Sequence, residues 1–484
     1  MRAFANLCAV DVAKHDASGF EGFQCVDHRL ISDISGMPYF IAIGEVAEHG
    51  FVEPAVGVGK KTDAFHAVAN YACYLRRMKR SLVVIGGGAA GYFAAINAAA
   101  ANDDLEVTII EKSQHLLAKV KVSGGGRCNV THGCFEPKQL VKNYPRGAKE
   151  LLGPFHMFQP GDMFDWLEQR GVALKTEDDG RVFPVSDKSQ TIIDCFLNEA
   201  SRVGVSVRTG THVKRFFKEG ERWVVELLDQ PALHADALLI ATGSAGSMHE
   251  QLAALGHTIV EPVPSLFTFN ITDPRIEGLA GVSAPACDVR IEGTKFEADG
   301  PVLVTHWGLS GPGILRLSAW AARVLANVKY DFQIRVNWDD RFTRESYIDF
   351  LKEWKAEHHR NQVLAFSAAK VPHRLWVSLL SGIEGIDRLK WADVSNKQLE
   401  KIAEAICTCY FLVKGKSTFK DEFVTAGGVE LKEVDFKTME SKLFPGLYFA
   451  GEVLNIDAIT GGFNFQAAWT TGWIAANSIS SRVD

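Results

Sequence analysis

Val83-Val84-Ile85-Gly86-Gly87-Gly88-Ala89-Ala90-Gly91 is the stretch that decides the fold. Three apolar residues run into a glycine turn, and an alanine-rich segment reaching Ala101 follows at once. The pattern predicts a strand over Ser81–Ile85, a tight turn, and a helix over Ala89–Ala101. Read as GxGxxG, Gly86 permits the turn out of the strand and Gly88 lets a diphosphate approach the backbone. Gly91 lets the helix lie close against the strand. The helix start offers unpaired N–H groups and the positive end of a dipole. A second strand, Leu105–Ile110, ends at Glu111, twenty residues beyond Gly91, where a carboxylate accepts hydrogen bonds from ribose hydroxyls. Glycine turns of this kind are common; the strand, helix and acid around this one make it the signature of a dinucleotide site.

Downstream, Ala237–Ile240 reads as a short buried strand ending in Ala241-Thr242-Gly243. Strands alternating with helices argue an α/β fold with a parallel sheet covered by helices. From about Leu266 to Trp338 the character changes, with alternating segments such as Asp288–Ile291, Val302–Val304 and Tyr330–Val336. These predict an antiparallel or barrel-like insert. Helical spacing and charge mark residues 341–404, and nucleotide-type sequence returns at Glu422–Ile479. The expected organisation is a first part over 78–265, an insert over 266–412 with its helical subdomain, and a returning part over 413–484. Residues 1–77 show no clear period, and Met78-Lys79-Arg80 runs straight into the first strand. They read as an extension of unknown role, with Met78 as the functional start; a small N-terminal module is the alternative. Gly57–Thr62 resembles a phosphate-binding loop, but Lys61 stands where Ser or Thr is required and no apolar strand leads in, so that reading is set aside.

Two further glycine clusters specify the dinucleotide. Ser123-Gly124-Gly125-Gly126-Arg127-Cys128-Asn129 lets backbone come close to a flat ligand, with Arg127 and Asn129 supplying donors. Gly446 to Glu452 reads as a strand and a glycine turn with an acid, and Thr460-Gly461-Gly462-Phe463-Asn464-Phe465-Gln466 opens a final helix. That helix start suits the pyrimidine side of an isoalloxazine, where negative charge grows on reduction. Two nucleotide-type segments from opposite ends of the chain, meeting on one sheet, suit FAD better than NAD.

The segments VVIGGGAAG, EK, SGGGRCNVT, GRVFP, ATGS, THWGLSGP, VTAGGV, TMESK and GLYFAGEVLNIDAITGGFNFQ together resemble the BaiN-type (YhiN-like) family of bacterial FAD-dependent oxidoreductases. The resemblance runs from about Met78 to the C-terminus and leaves out residues 1–77. It implies a Rossmann-like FAD-binding domain, an inserted β-barrel domain, and a small helical subdomain within that insert. It also implies FAD contacts at Gly86, Gly88, Gly91, Glu111, Arg127, Cys128, Asn129, Gly451, Glu452, Gly462, Asn464 and Gln466. The ATGS and TGG segments add Thr242, Gly243 and Gly461. Members differ in substrate, so the substrate does not carry over. The chain departs from the family pattern at Ser244, Asn455 and His132, where glycine, aspartate and asparagine are usual.

Composition bounds the rest. Lys+Arg number 52 against 58 Asp+Glu, a formal charge of −6, which gives no support to a general nucleic-acid binder. Nine scattered cysteines form neither a disulfide framework nor a paired zinc pattern, and no run of 18 apolar residues suggests a membrane span. A cytoplasmic protein without a metal, acting on a small molecule, is the expectation; the oligomeric state is not legible. Candidates for the chemistry are His306, in THWGLSGP, as a proton donor, and Arg181, in GRVFP, as an anchor for an anionic group. For His306 the alternative is a loop hydrogen bond beside a helix capped by Ser310; for Arg181 it is a surface ion pair. Cys128 with Cys134 invites a redox-disulfide reading, but a small residue packed near the flavin is favoured. No second GxGxxG unit follows, so NAD(P)H is expected only as a transient reductant. The expected activity is hydride transfer between a small organic substrate or NAD(P)H and FAD. The rivals are an RNA-modifying flavoprotein, which needs a basic surface on the insert, and a non-catalytic redox sensor.

Overall fold

The computed structural model describes residues 80–417 and 424–482, together with four short strands before them. The chain divides into two compact units, Met1–Arg80 and Ser81–Asp484. In the first, Leu7–Ala9 pairs antiparallel with Gln24–Val26, and Phe40–Ile41 with Val58–Gly59. The reading of residues 1–77, including most of the stretch set aside as a phosphate loop, otherwise lies outside the described residues.

The nucleotide-type sequence begins with β1 (Arg80–Ile85), α1 (Ala89–Ala101) and β2 (Leu105–Ile110), where the apolar pattern places them. After α2 (Ala118–Gly126) and α3 (Ser189–Arg202), β3 (Ser206–Arg208) completes the first half of the sheet. A three-stranded meander over residues 213–235 precedes β4 (Ala237–Ile240). The strand β5 (Ile259–Ser265) then leads into the insert, which holds β6 (Thr268–Asn270), β7 (Ser283–Ile291), β8 (Glu297–Val304) and β9 (Gly308–Ser310). It continues with α4 (Pro312–Asn327), β10 (Asp331–Asn337), and three helices, α5 (Arg344–Glu357), α6 (His373–Leu380) and α7 (Asn396–Cys407). It ends with β11 (Cys409–Lys414) and β12 (Lys416–Ser417). The returning strand β13 (Val424–Val429) pairs antiparallel with β5. Then come β14 (Val434–Asp435), β15 (Glu440–Ser441), β16 (Leu447–Phe449) and the closing helix α8 (Phe463–Ser481).

The main sheet has the order β3-β2-β1-β4-β16-β15-β14. β3 runs parallel to β2, and β4 runs parallel to both β1 and β16. β4 is buried along its whole length, as a strand covered on both faces must be. The strand order reverses between β1 and β4, so ligands are expected at their carboxyl ends. α8 packs on α1, and Gly472 permits that approach: a Cβ there would lie 3.0 Å from the carbonyl oxygen of Ala90.

The insert's sheet has the order β11-β10-β7-β8-β9-β6-β12, antiparallel throughout. β11 and β12 are successive pieces of one strand that bends at Gly415 (φ +94). The two ends of the sheet therefore belong to the same strand, and the sheet closes on itself as the expected barrel, with no long free edge. Alternate residues of β11 (Cys409, Phe411, Val413) point inward to a core that also holds Trp338, Trp376 and Trp391. This core is separate from the one around the parallel sheet. One local expectation fails. Ser310 does not cap α4; Gly311 holds the N-cap position with Pro312 in the first turn, and the Ser310 hydroxyl accepts instead from Thr268 Oγ1 at 2.9 Å.

Candidate cofactor and active site

Several turns converge at the carboxyl ends of β1, β4 and β16. Gly86 leaves β1 with φ +116, and a Cβ there would lie 2.4 Å from the carbonyl oxygen of Ala241, at the end of β4. A Cβ on Gly91 would lie 2.0 Å from the carbonyl oxygen of Gly86. Both glycines are required by the protein's own packing. Gly88 is not: nothing stands within 4 Å of where its Cβ would be. It is the N-cap of α1 and no side chain caps that helix, which leaves first-turn N–H groups for an anion. The Glu111 carboxylate is fixed at the end of β2 by N–H groups of Gly87 and Ser113, each at 2.8 Å. Each oxygen keeps a lone pair for a ribose hydroxyl.

The second glycine cluster begins as a turn of helix and then unwinds. Within α2, Ser123 is extended (ψ 148), and Gly124 and Gly125 are left-handed (φ 58 and 68). A Cβ on Gly124 would meet the Phe183 ring at 2.9 Å, whereas Gly125 and Gly126 have nothing within 4 Å. The Arg127 guanidinium lies 3.9 Å from the centroid of the Phe183 ring and pairs with Glu177 at 2.6 Å. Its Nη1 is thus engaged within the fold. Cys128 adopts φ +62 and is fully buried; burial pushes its thiol up to about 12, although a hydrogen bond with Ser123 works the other way. Burial likewise raises Cys134, and both thiols are free. Two neutral thiols suit packing, not disulfide exchange, which needs a thiolate.

The next residues lie along the start of α8. A Cβ on Gly462 would lie 2.4 Å from the carbonyl oxygen of Thr131 and 2.9 Å from Asn129 Oδ1. Thr131 Oγ1 donates to Gln466 Oε1 at 2.6 Å, and Gln466 Nε2 donates to Thr470 Oγ1 at 3.1 Å. The Gln466 side chain is fully buried and spent on this network. Asn464 holds both backbone groups of Ala458, at 2.9 and 3.2 Å, and so shapes the turn at Gly461. His132 stacks on Phe463 with ring centroids 4.5 Å apart, and burial lowers its pKa. Gly462 is the N-cap of α8, again with no side-chain cap, so the positive end of a 19-residue helix opens beside the Arg127–His132 segment.

Thr242 and Gly243 follow the end of β4, and Glu452 follows β16. A Cβ on Gly243 would be 3.6 Å from Glu452 Oε2. Glu452 also accepts from the Thr425 N–H at 2.9 Å and pairs with Lys119 at 2.6 Å. The buried Thr242 Oγ1, Thr425 Oγ1 and Asn455 Oδ1 have no hydrogen-bond partner among the described residues, and buried polar atoms rarely stay so. The residues present therefore fit FAD: glycines whose Cβ would fill a cradle, a ribose acid, two uncapped helix starts and polar atoms awaiting partners.

The two residues singled out for chemistry sit on a strand and on a turn of the insert. Arg181 sits on the strand Arg181–Pro184, opposite His132, and pairs with Asp179 at 2.7 Å and Glu177 at 3.0 Å. His306 is exposed in the β8–β9 turn beside the exposed Trp307. That turn is held by Thr305, whose hydroxyl donates to the Gly308 carbonyl oxygen at 3.2 Å, and not by His306. Sequence reasoning missed Lys119, Thr425, Arg146 and Asp457. Asp457 and Thr425 lay inside quoted motifs; Lys119 and Arg146 carry no local signal.

Residues 80–478 match the family described as HI0933-like protein Rossmann domain. The chain belongs to this family. It is an FAD-dependent oxidoreductase. It is 28% identical over 417 residues to the ribosomal RNA dihydrouridine synthase of Escherichia coli, covering 82% of this chain and 97% of the relative. It is also 28% identical over 424 residues to a 3-dehydro-bile acid delta(4,6)-reductase of Clostridium scindens, covering 82% and 98%. Among solved structures, the 3-ketosteroid delta1-dehydrogenase of Sterolibacterium denitrificans matches at 11% identity with a TM-score of 0.46, covering 83% of this chain and 100% of that one. No helix among the described residues is long and apolar enough to cross a membrane.

Proposed function

We propose that this enzyme reduces a carbon–carbon double bond conjugated to a carbonyl group, drawing hydride from NAD(P)H as a transient reductant. The observation that carries the reading is the convergence of the glycine turns and the uncapped start of α8 on one cradle. The relatives named for dihydrouridine and for a bile acid act on unlike molecules, yet both names describe saturating a double bond next to a carbonyl. Bound FAD supplies the two-electron carrier between nicotinamide and substrate. Gly86, Gly88, Gly91, Glu111, Thr242, Gly243, Gly451 and Glu452 hold its adenosine and diphosphate side. Asn129, Gly461, Gly462 and the start of α8 hold its ring and stabilise the negative charge of the reduced state. Cys128 packs behind the ring; Arg127, Asn464 and Gln466 act through the segments they brace. His306, on the exposed turn of the insert, is the candidate proton donor, and Arg181 braces the hairpin beside His132.

Reduction of a uracil base within RNA is the second reading, and one feature of the insert favours it. His358–Arg374, running from the end of α5 into the first turn of α6, contains Arg360, Lys370 and Arg374, three histidines and no carboxylate. Those three cations are exposed and form no ion pair among the described residues, with Phe366 59% exposed between them. This is the local basic surface that the overall charge of −6 hides. The test is to reduce the flavin anaerobically with NADH or NADPH and then add a 3-oxo-4-ene steroid or a uracil-containing RNA. Reoxidation of the flavin by one of them, with a product heavier by two hydrogens, is expected. A reduced flavin that neither acceptor reoxidises would sink the proposal.

A further inference from the structure

Arg146 precedes the helix Ala148–Met157, and Asp457 lies in the loop between the Glu452 turn and Gly461. The Asp457 side chain is fully buried, and both its oxygens accept from the Arg146 guanidinium, Oδ1 from Nε and Oδ2 from Nη2. Oδ2 also accepts from Ser265 Oγ at 2.7 Å, at the end of β5 where the chain crosses into the insert. Arg146 Nη2 reaches further and donates to the Ala319 carbonyl oxygen on α4 at 2.8 Å. From the other side, Arg323 of α4 donates to the carbonyl oxygens of Glu261 on β5, at 2.6 Å, and Ala426 on β13, at 3.1 Å. Both crossing strands and the insert's helix are thus stitched together around one buried carboxylate.

The same loop is also pinned to the FAD domain. Its Ile459 N–H donates to the Asn143 carbonyl oxygen at 3.0 Å, and its Asn455 N–H to that of Val429 at 3.1 Å. Gly147 lets it approach, since a Cβ there would lie 2.7 Å from Ile456. Asp457 is four residues before Gly461, at the turn that opens α8. Any shift of the insert against the FAD domain must therefore pull on the loop that shapes the ring end of the cradle. Burial alone would favour a neutral Asp457, and Arg146, with Arg323 beyond it, works the other way. A buried carboxylate this well paired has a specific geometry to keep, and breaking one partner is costly.

We propose that Arg146 and Asp457 are positioning residues that couple the orientation of the insert to the flavin-facing loop. The proposal rests on the FAD reading of the cradle, not on the identity of the reducible substrate. The test is hydrogen exchange on the full chain, with FAD added, for wild type, R146K and S265A, together with the visible flavin spectrum. R146K keeps the charge but loses the fork geometry; S265A removes one hydrogen bond and is the variant to use if R146K does not fold. The expected result for R146K is exchange at least about tenfold faster in both residues 455–462 and residues 312–327, with a shifted flavin band. S265A should show the same paired response in smaller measure. Faster exchange confined to one of the two segments, with an unchanged flavin band, would overturn the coupling. Loss of FAD reading altogether appears differently, as a wild-type protein that takes up no flavin.

Discussion

Two glycine-rich turns flank the cradle, and they are constrained by different things. In the turn after β1, Gly86 and Gly91 are fixed by the protein, since any Cβ would run into a carbonyl oxygen 2.4 or 2.0 Å away. In the cluster ending α2, Gly125 and Gly126 touch nothing within 4 Å, and Gly88 of the first turn shares that property. The first pair of glycines is explained by the fold. Gly125 and Gly126 sit at φ +68 and +85, a left-handed backbone that itself favours glycine, whereas Gly88, at φ −90, has neither strain nor a close neighbour to require it. Packing, backbone conformation and open space thus leave separable marks on the same residue type.

That separation can be broken by single substitutions. Gly91→Ala should have the largest effect, a loss of more than about 4 kcal/mol and little soluble protein, because helix and strand must move apart. Gly88→Ala should fold with apo stability within about 1 kcal/mol of wild type, since its φ of −90 suits alanine and the space is open. Its FAD affinity should fall by about tenfold or more, read by flavin fluorescence titration, a change of about 1.4 kcal/mol. If Gly88→Ala binds FAD like wild type, the open space at that glycine is not a diphosphate site.

A smaller effect comes from histidines buried among these elements. Burial lowers the pKa of His132, His249 and His257 from the ordinary 6.5. His257 Nδ1 lies 2.8 Å from the Glu433 carboxylate, and Ser441 Oγ lies 3.0 Å from its Nε2. Below about pH 6.5 the unfolded chain takes up protons that the folded one resists, so their stabilisation is full above that pH and is lost as pH falls. The thermal midpoint should drop between pH 7 and pH 5, and His257→Gln should flatten part of that slope. A midpoint that rises on acidification would contradict the assignment.

The first turn was legible because its signal is local: an apolar run, glycines at fixed spacing, and an acid one strand later. The insert was legible only as alternating segments. Its closure depends on Gly415 letting one strand leave one edge and join the other, which no period encodes. The Ser310 cap failed because Thr268, far away in sequence, offers a better-placed hydroxyl partner. Arg146 and Asp457 stand 311 residues apart, so nothing near either one announces the pair. Arg127 looked free for a ligand in sequence, and Glu177 and Phe183 claim it only once the hairpin folds back.

The central claim is that the cradle holds FAD and that the flavin turns over. The most direct measurement is the absorption spectrum of the purified chain after incubation with FAD and removal of the unbound cofactor, followed by anaerobic NADH and then NADPH. A flavin spectrum that stays with the protein and bleaches with one of the two nucleotides is the expected result. A protein that retains no flavin after reconstitution would contradict the account.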